Sequence, residues 1–360
     1  MGRAHMKYLA NGEVEGAELA AVCESFPPNL ERARKSLPDR VACFSEPEAM
    51  FKSGTIDAIL IATPHYFHPE LAIAGFEHGL HVLTEKPAGV YTKQVRLMNE
   101  AAAKSGKVFG IMYNLRLLGL YKKLKDLVDT GELGEIRRTS WIITDWYRKQ
   151  SYYDSGAWRG TWAGEGGGVL LNQDPHQLDL WQWTIGMMPK RVRAFCAFGK
   201  HRNIEVEDAV TAYVEYENGA TGVFVTTTGE APGTNRYEVA GDRGKVVIED
   251  GKLVFWRLRI PEPQFNRENR PGDPEAWKIE IPVKEGSSDH MPITQNWVDA
   301  ILHGIPLIAP GEEGIKGLTL SNAMYLSTWL NDWVELPIDE DLYYEKLQEM
   351  IDKSKRGESH

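Results

Sequence analysis

Residues 58–87 read AILIATPHYFHPELAIAGFEHGLHVLTEKP, and this stretch decides the fold. Residues 58–62 form a short apolar run, 69–78 carry helical spacing, Gly79 stands where a helix stops, and His81–Thr84 is a second apolar run. Short apolar runs bridged by a helix read as strands of a parallel sheet with a crossover connection.

The same rhythm extends to both sides. Residues 18–23 and 108–113 read as further strands, and 29–36 and Thr92–Ser105 as helices, the latter stopped by Gly106. The expectation is an α/β domain over 1–114, a doubly wound parallel sheet of Rossmann type. After Asn114 the rhythm changes. A helix over 118–129 and a strand over 135–144 lead into an aromatic-rich loop, then strands over 209–216, 221–228, 235–240, 245–249 and 252–259, separated by turn signals such as Asn218-Gly219 and Asp250-Gly251. Helical spacing returns in 293–302, 318–333 and 341–351. Residues 115–360 therefore read as an α+β domain with an open, mainly antiparallel sheet.

Composition narrows the functional classes. The chain has 360 residues, 42% of them hydrophobic and 10% aromatic, enough for two packed cores. A formal net charge of −10, without a dense Lys/Arg run, opposes nucleic acid and acidic membranes as partners. Cys23, Cys43 and Cys196 are odd in number and far apart, which fits a reducing compartment. The first thirty residues show no basic stretch followed by an apolar core, and no apolar run nears the roughly 18 residues of a membrane span, so a cytoplasmic location is expected.

A dinucleotide-binding domain ordinarily begins with a strand running into a Gly-x-Gly-x-x-Gly turn, where the helix N-terminus receives the pyrophosphate. Here the chain opens at Met1-Gly2-Arg3-Ala4-His5: residues 3–9 read as the helix body and Gly2 as the third glycine. Glu24, at the end of strand 18–23, stands where a carboxylate binds ribose hydroxyls. The expectation is a sheet lacking its first strand, with about ten to fifteen further residues at the N-terminus of the natural protein.

Ile61-Ala-Thr-Pro-His-Tyr-Phe-His-Pro69 followed by His81-Val-Leu-Thr-Glu-Lys-Pro87 closely resembles the Gfo/Idh/MocA family of oxidoreductases, named for glucose-fructose oxidoreductase and inositol dehydrogenase. The likeness continues through 110–116, 134–136, Trp158-Arg159, the run 166–176 from Gly166 to His176, and 311–314, nearly the whole chain. It implies a Rossmann domain, a larger α+β domain whose open sheet makes homo-oligomer contacts as a dimer or tetramer, and hydride transfer between a nicotinamide and a hydroxyl of a sugar or cyclic polyol.

By this resemblance Lys86 is the active-site lysine, donating to the reacting oxygen, and Pro87 suggests a cis bond that aims it. His176 is the general base, suited to proton transfer near neutrality. Asp174-Pro175-His176-Gln177 reads as a capped helix start, with Asp174 as N-cap and Gln177 completing a capping box, which sets His176 in the first turn. Asp179 lies where it would orient the ring. Asn172 stands where many family members carry Asp; it cannot take a proton, yet it can hydrogen-bond a sugar hydroxyl. Gly2, Glu24, Thr63, Pro64, His68, Glu85, Lys86, Asn114, Trp158 and Arg159 are the expected cofactor contacts, and Lys86, Asn172 and His176 the substrate contacts.

Glu24 followed by Ser25 favours NAD over NADP, because a carboxylate repels a 2′-phosphate and no arginine follows directly. His65-x-x-His68 also has the look of a metal pair, but no further ligand set converges and the chemistry needs no metal. The aromatic residues of 141–162 suit either sugar stacking or a packed core. Gly166–Gly168 beside Glu165 reads as close packing rather than a phosphate loop. Two rival functions stay open: a glycosidase working through transient oxidation by held NAD, and a sugar- or NAD-binding relative without catalysis.

Overall fold

The computed structural model describes residues 1–356, which divide into two compact units, 1–114 with 288–315, and 115–287 with 316–356. Where the sequence reading drew one division after Asn114, the segment 288–315 groups with the first unit.

In the first unit α1 (Gly2–Ala10), β1 (Ala21–Cys23), α2 (Pro27–Ser36), β2 (Ala42–Phe44), α3 (Pro47–Phe51), β3 (Ala58–Ile61), α4 (Phe67–Glu77), β4 (His81–Thr84), α5 (Thr92–Ser105) and β5 (Phe109–Ile111) alternate as expected. Every strand pair is parallel. Among the described residues, however, the parallel strands lie in two sheets, β1–β2 and β3–β4–β5, with β1 and β3 each hydrogen-bonded along one side. The β2–α3 segment escaped the sequence reading because a three-residue strand is too short to show a period. Val82 and Leu83 of β4 are completely buried, as is Ala72 of α4. Burial of a side chain such as Leu83 contributes roughly 1.5–3 kcal/mol. Gly75 lets α4 lie close to the sheet, since a Cβ there would press on Ile59 and Val82. Gly106 ends α5 at φ 65°, a conformation glycine adopts without strain.

The second unit contains α6 (Gly119–Asp129), β6 (Ile136–Ile143), α7 (Gln150–Tyr153), one π-helical turn (Val169–Gln173) and α8 (Pro175–Ile185). Then come β7 (Arg191–Phe198), β8 (Glu207–Glu215), β9 (Thr221–Thr227), β10 (Asn235–Gly241), β11 (Gly244–Glu249), β12 (Lys252–Leu258), α9 (Glu262–Arg267) and β13 (Ala276–Ile281). Helix α10 (Met291–His303) belongs to the first unit, and α11 (Gly314–Leu330), β14 (Val334–Glu335) and α12 (Glu340–Lys355) close the chain.

Among the described residues the sheet runs β13-β12-β11-β10-β6-β9-β8-β7-β14. Its neighbours are antiparallel except β6 and β9, which run parallel. Burial alternates along β7 and β8, the mark of a sheet with one covered face. The covered face holds an aromatic core in which Trp141 stacks on Tyr237 at 4.3 Å and Trp181 on Phe224 at 5.3 Å. Trp162 is fully buried against Tyr325 and Trp329. Trp141 and Trp162 are therefore core, whereas Trp146, Tyr147, Tyr152 and Trp158 reach the surface. Among the described residues no helix is long and apolar enough to cross a membrane.

Candidate active site

The first unit collects its functional side chains at the C-terminal ends of β1, β3 and β4, where ligands bind in open α/β sheets. Glu24 follows β1 half-exposed, its carboxylate accepting from the Phe26 backbone N–H at 2.9 Å and from the Asn29 amide at 3.3 Å. Helix α1 presents an exposed first turn free of acidic residues, and Gly2 has no atom nearer to a built Cβ than 3.8 Å. A helix N-terminus and a carboxylate held at the end of a parallel strand are the kinds of group that meet the pyrophosphate and ribose of a dinucleotide.

Thr63 is exposed and Pro64 half-buried in the loop after β3. His68 is buried beneath that loop, with Nδ1 2.7 Å from the Pro87 carbonyl and Nε2 2.8 Å from the Thr63 carbonyl. Burial pushes its pKa down, against the pull of the two carbonyls. His68 thus ties the loop after β3 to the turn after β4. The Lys86–Pro87 peptide is cis, as expected, and Lys86 stands half-exposed.

Glu85 is only 4% exposed. Its Oε1 lies 2.6 Å from His5 Nε2 and 3.7 Å from His290 Nε2, and its Oε2 accepts from the Lys86 backbone N–H at 3.2 Å. Burial raises the Glu85 pKa, but the His5 hydrogen bond and the charges of His5, His290 and Lys86 outweigh it and bring it to about 2. Beyond His5 the chain continues to the Tyr8 hydroxyl and, at 2.7 Å, to Thr294 Oγ1. Asn114 is buried, its side-chain amide donating to the Ser288 carbonyl. The sequence reading missed His5, Tyr8, His290 and Thr294; His5 and Tyr8 share a face of α1 at i, i+3, but their partners are far away in sequence.

In the second unit the π-helical turn delivers the chain into α8. Gly168 and Leu170 donate their backbone N–H groups to the two oxygens of buried Glu207, at 2.9 and 2.8 Å. Burial raises the Glu207 pKa to about 7 against the pull of these donors and of Tyr325. A Cβ on Gly168 would run into the Glu207 carbonyl. This is the close packing expected of the glycine run.

His176 lies in the first turn of α8, half-exposed, with Pro175 at the first position. The capping box does not form. Asp174 is the N-cap, but its backbone sits at φ −92°, ψ 6° and its carboxyl turns into the core instead of over the helix end. Thr226 and Trp146 approach that carboxyl without reaching hydrogen-bond geometry, and burial, together with Glu207 and Asp145, holds its pKa well above the ordinary carboxylate range. Asp179, read as an orienter of His176, receives the Arg116 guanidinium through both oxygens, at 2.8 and 2.6 Å, in a fully buried pair.

Asn172, half-exposed, donates through its amide to buried Glu165 and, at 2.9 Å, to the Tyr152 hydroxyl. Arg159 Nη1 donates to the same hydroxyl at 2.8 Å, and its guanidinium lies 4.3 Å from the Trp158 ring centre and 4.6 Å from that of Tyr152. Arg159 also stands 3.6 Å from Glu165, which accepts from the Gly160 N–H at 2.6 Å. Tyr152, Glu165 and Glu207 were not among the expected site residues; partners up to 39 positions apart leave no local signal.

A parallel-sheet unit with an acid after β1 and a lysine after β4, followed by a large open-sheet unit, defines an NAD(P)-dependent oxidoreductase. Residues 1–113 match the profile described as "Oxidoreductase family, NAD-binding Rossmann fold", and 121–247 match the GFO/IDH/MocA C-terminal domain. The chain belongs to the Gfo/Idh/MocA family of oxidoreductases. Among its relatives, a 1-carboxy-3-chloro-3,4-dihydroxycyclohexa-1,5-diene dehydrogenase of Comamonas testosteroni is 28% identical, over 81% of this chain and 70% of that protein. The scyllo-inositol 2-dehydrogenase (NAD(+)) of Bacillus subtilis is 25% identical, over 69% of this chain and 70% of its own. The solved structure of the WlbA dehydrogenase from Bordetella pertussis, in complex with NADH and UDP-GlcNAcA, superposes with a TM-score of 0.77 at 26% identity, covering 94% of this chain and 96% of that one.

Proposed function

We propose that this protein oxidises a secondary hydroxyl of a sugar or cyclic polyol, or reduces the corresponding carbonyl, using NAD in preference to NADP. The observation that carries the reading is Lys86: a half-exposed lysine at the end of β4, set behind a cis peptide and next to a carboxylate that His5 holds ionised. The relatives support the substrate class, since they include a scyllo-inositol 2-dehydrogenase and a levoglucosan dehydrogenase, and the Bordetella enzyme is solved with a nucleotide sugar.

The nicotinamide, when bound, supplies the hydride acceptor or donor. Lys86 donates a hydrogen bond to the reacting oxygen and steadies the charge that develops there. His176 takes the hydroxyl proton in oxidation and returns it in reduction. Asn172 contacts a substrate hydroxyl and carries no proton. Glu24 binds the ribose hydroxyls and disfavours a 2′-phosphate. Gly2, Thr63, Pro64, Asn114, Trp158 and Arg159 complete the cofactor contacts, while His68 and Glu85, engaged with the protein's own groups, shape the turn that carries Lys86.

Calorimetric titration with NAD and NADP, then a screen of scyllo-inositol, levoglucosan and methyl β-D-glucoside for NADH production, tests this. Tighter NAD binding and net NADH formation are expected, with Lys86→Ala and His176→Ala each lowering kcat about 10²- to 10⁴-fold. Glycoside cleavage without net NADH, or binding without turnover, would overturn the reading. We further infer that the protein self-associates through the open sheet face, where Phe195 is 61% and Tyr213 38% exposed.

A further inference from the structure

The Tyr152 hydroxyl is surrounded by donors. Arg159 Nη1 reaches it at 2.8 Å, Asn172 Nδ2 at 2.9 Å and Gln173 Nε2 at 3.4 Å. A phenol oxygen has two lone pairs to offer and one O–H to give. Arg159 and Asn172 fill the lone pairs, so the O–H is left to the third neighbour, the Gln173 amide at 3.4 Å, whose oxygen accepts it only at this long distance when the amide is turned round. The donor roles of Arg159 and Asn172 are fixed by their chemistry and partners. The Asn172 amide nitrogen must face Glu165 as well as Tyr152, because a carboxylate has no hydrogen to donate and the amide must supply it, and arginine has no acceptor at all.

The ring is held as firmly as its oxygen. The guanidinium carbons of Arg148 and Arg159 lie 5.3 and 4.6 Å from its centre, and Tyr153 meets it edge-on at 5.1 Å. Buried Glu165 offsets the Arg159 charge at 3.6 Å and is itself anchored by the Gly160 N–H. Tyr152 thus presents a pre-oriented O–H from a half-buried position, hydrogen-bonded to Asn172, which lies four residues before His176. A donor fixed in this way loses little freedom when it meets a ligand oxygen.

We propose that Tyr152 is a substrate-binding residue whose hydroxyl donates to a sugar oxygen other than the reacting one. The proposal rests on the functional reading of the His176 segment given above. The Tyr152–Asn172–Arg159 triad then selects a substrate with an acceptor oxygen at one defined ring position, and it acts on binding rather than on the chemical step.

The test takes the sugar of the three that gives NADH fastest, together with its monodeoxy analogues, and measures wild type, Tyr152→Phe and His176→Asn. Tyr152→Phe keeps the ring beneath both guanidiniums. Loss of one substrate hydrogen bond raises KM about tenfold with kcat within about twofold. For the one analogue lacking the contacted oxygen, wild type itself shows the raised KM and Tyr152→Phe adds nothing further, a coupling that a purely structural tyrosine would not produce. Equal KM for Tyr152→Phe and wild type on the parent sugar, or the same KM penalty on every analogue, overturns the proposal. A wild type indifferent to every deoxy position overturns it without reference to any variant. If His176→Asn leaves kcat intact, or no sugar yields NADH, the reading beneath it falls first.

Discussion

At the scale of single residues, two buried carboxyl groups have opposite pH behaviour. Glu85 is held at about 2, below the 4.5 of a free glutamate, chiefly by the His5 hydrogen bond working against burial. Its contribution to stability is present above pH 4.5 and fades as the pH falls toward 2, amounting to about 3 kcal/mol over that window. His5→Phe removes the main partner of a buried charge and is expected to cost about 3–5 kcal/mol near neutrality, with a shallower acid limb in thermal melts followed by circular dichroism. Asp174 behaves in the reverse sense. Its pKa is raised by burial, so its stabilising contribution is complete below the ordinary value of 3.8 and is lost as the pH rises through the raised value. Asp174→Asn should therefore melt at or above wild type at about pH 8, and a melting temperature falling as steeply with pH as that of wild type would refute this account.

Elements explain why some of the fold can be read from the sequence and some cannot. Thr92–Ser105 is found to the residue because its helical period stops at Gly106, and His81–Thr84 because its short apolar run lies between Gly79 and Pro87. Strand β7 has alternating burial, but exposed Phe195 and half-buried Ala197 stand on its polar face and blur the pattern. Strand β13 is almost wholly exposed and offers no apolar face to read. The motif residues Lys86 and His176 were visible as motifs. The supports around them, His5 behind Glu85 and Glu207 behind the glycine run, lie 80 and 39 residues away from what they hold and leave no trace in local spacing. The π-helical turn gives this a test. Glu207→Gln exchanges one accepting oxygen for an amide nitrogen facing an N–H, so at least one of its two backbone hydrogen bonds is lost. We expect a cost of about 1–3 kcal/mol and faster amide exchange at Gly168 or Leu170, read by NMR or mass spectrometry.

For the molecule as a whole, the open sheet face is the feature with consequences for assembly. Phe195 pairs across to Thr211 and Arg193 to Tyr213, so Phe195 and Tyr213 share a face, and Tyr213 packs edge-on to Trp333 at 5.8 Å. Nearby on the sheet, Arg138, Arg236, Lys245 and Glu238 form an ion-pair ladder. An apolar patch with charged residues around it is what the proposed self-association would use. Phe195→Glu should lower the mass measured by light scattering while leaving the melting profile of a dilute sample close to wild type. An unchanged mass would place self-association, if any, on another surface.

The parallel junction of β6 and β9 also bears on how the chain is made. Arg138 pairs with Thr221, 83 positions later, and Asn235 returns to Ile143 on the other side. At a synthesis rate of about 5–20 residues per second, β6 leaves the ribosome roughly 4–17 seconds before β9 exists to receive it. During that interval Ile136, Trp141 and Ile143, later buried, lack their sheet neighbours, which leaves this central strand waiting far longer for its partner than the hairpin strands β10, β11 and β12 do.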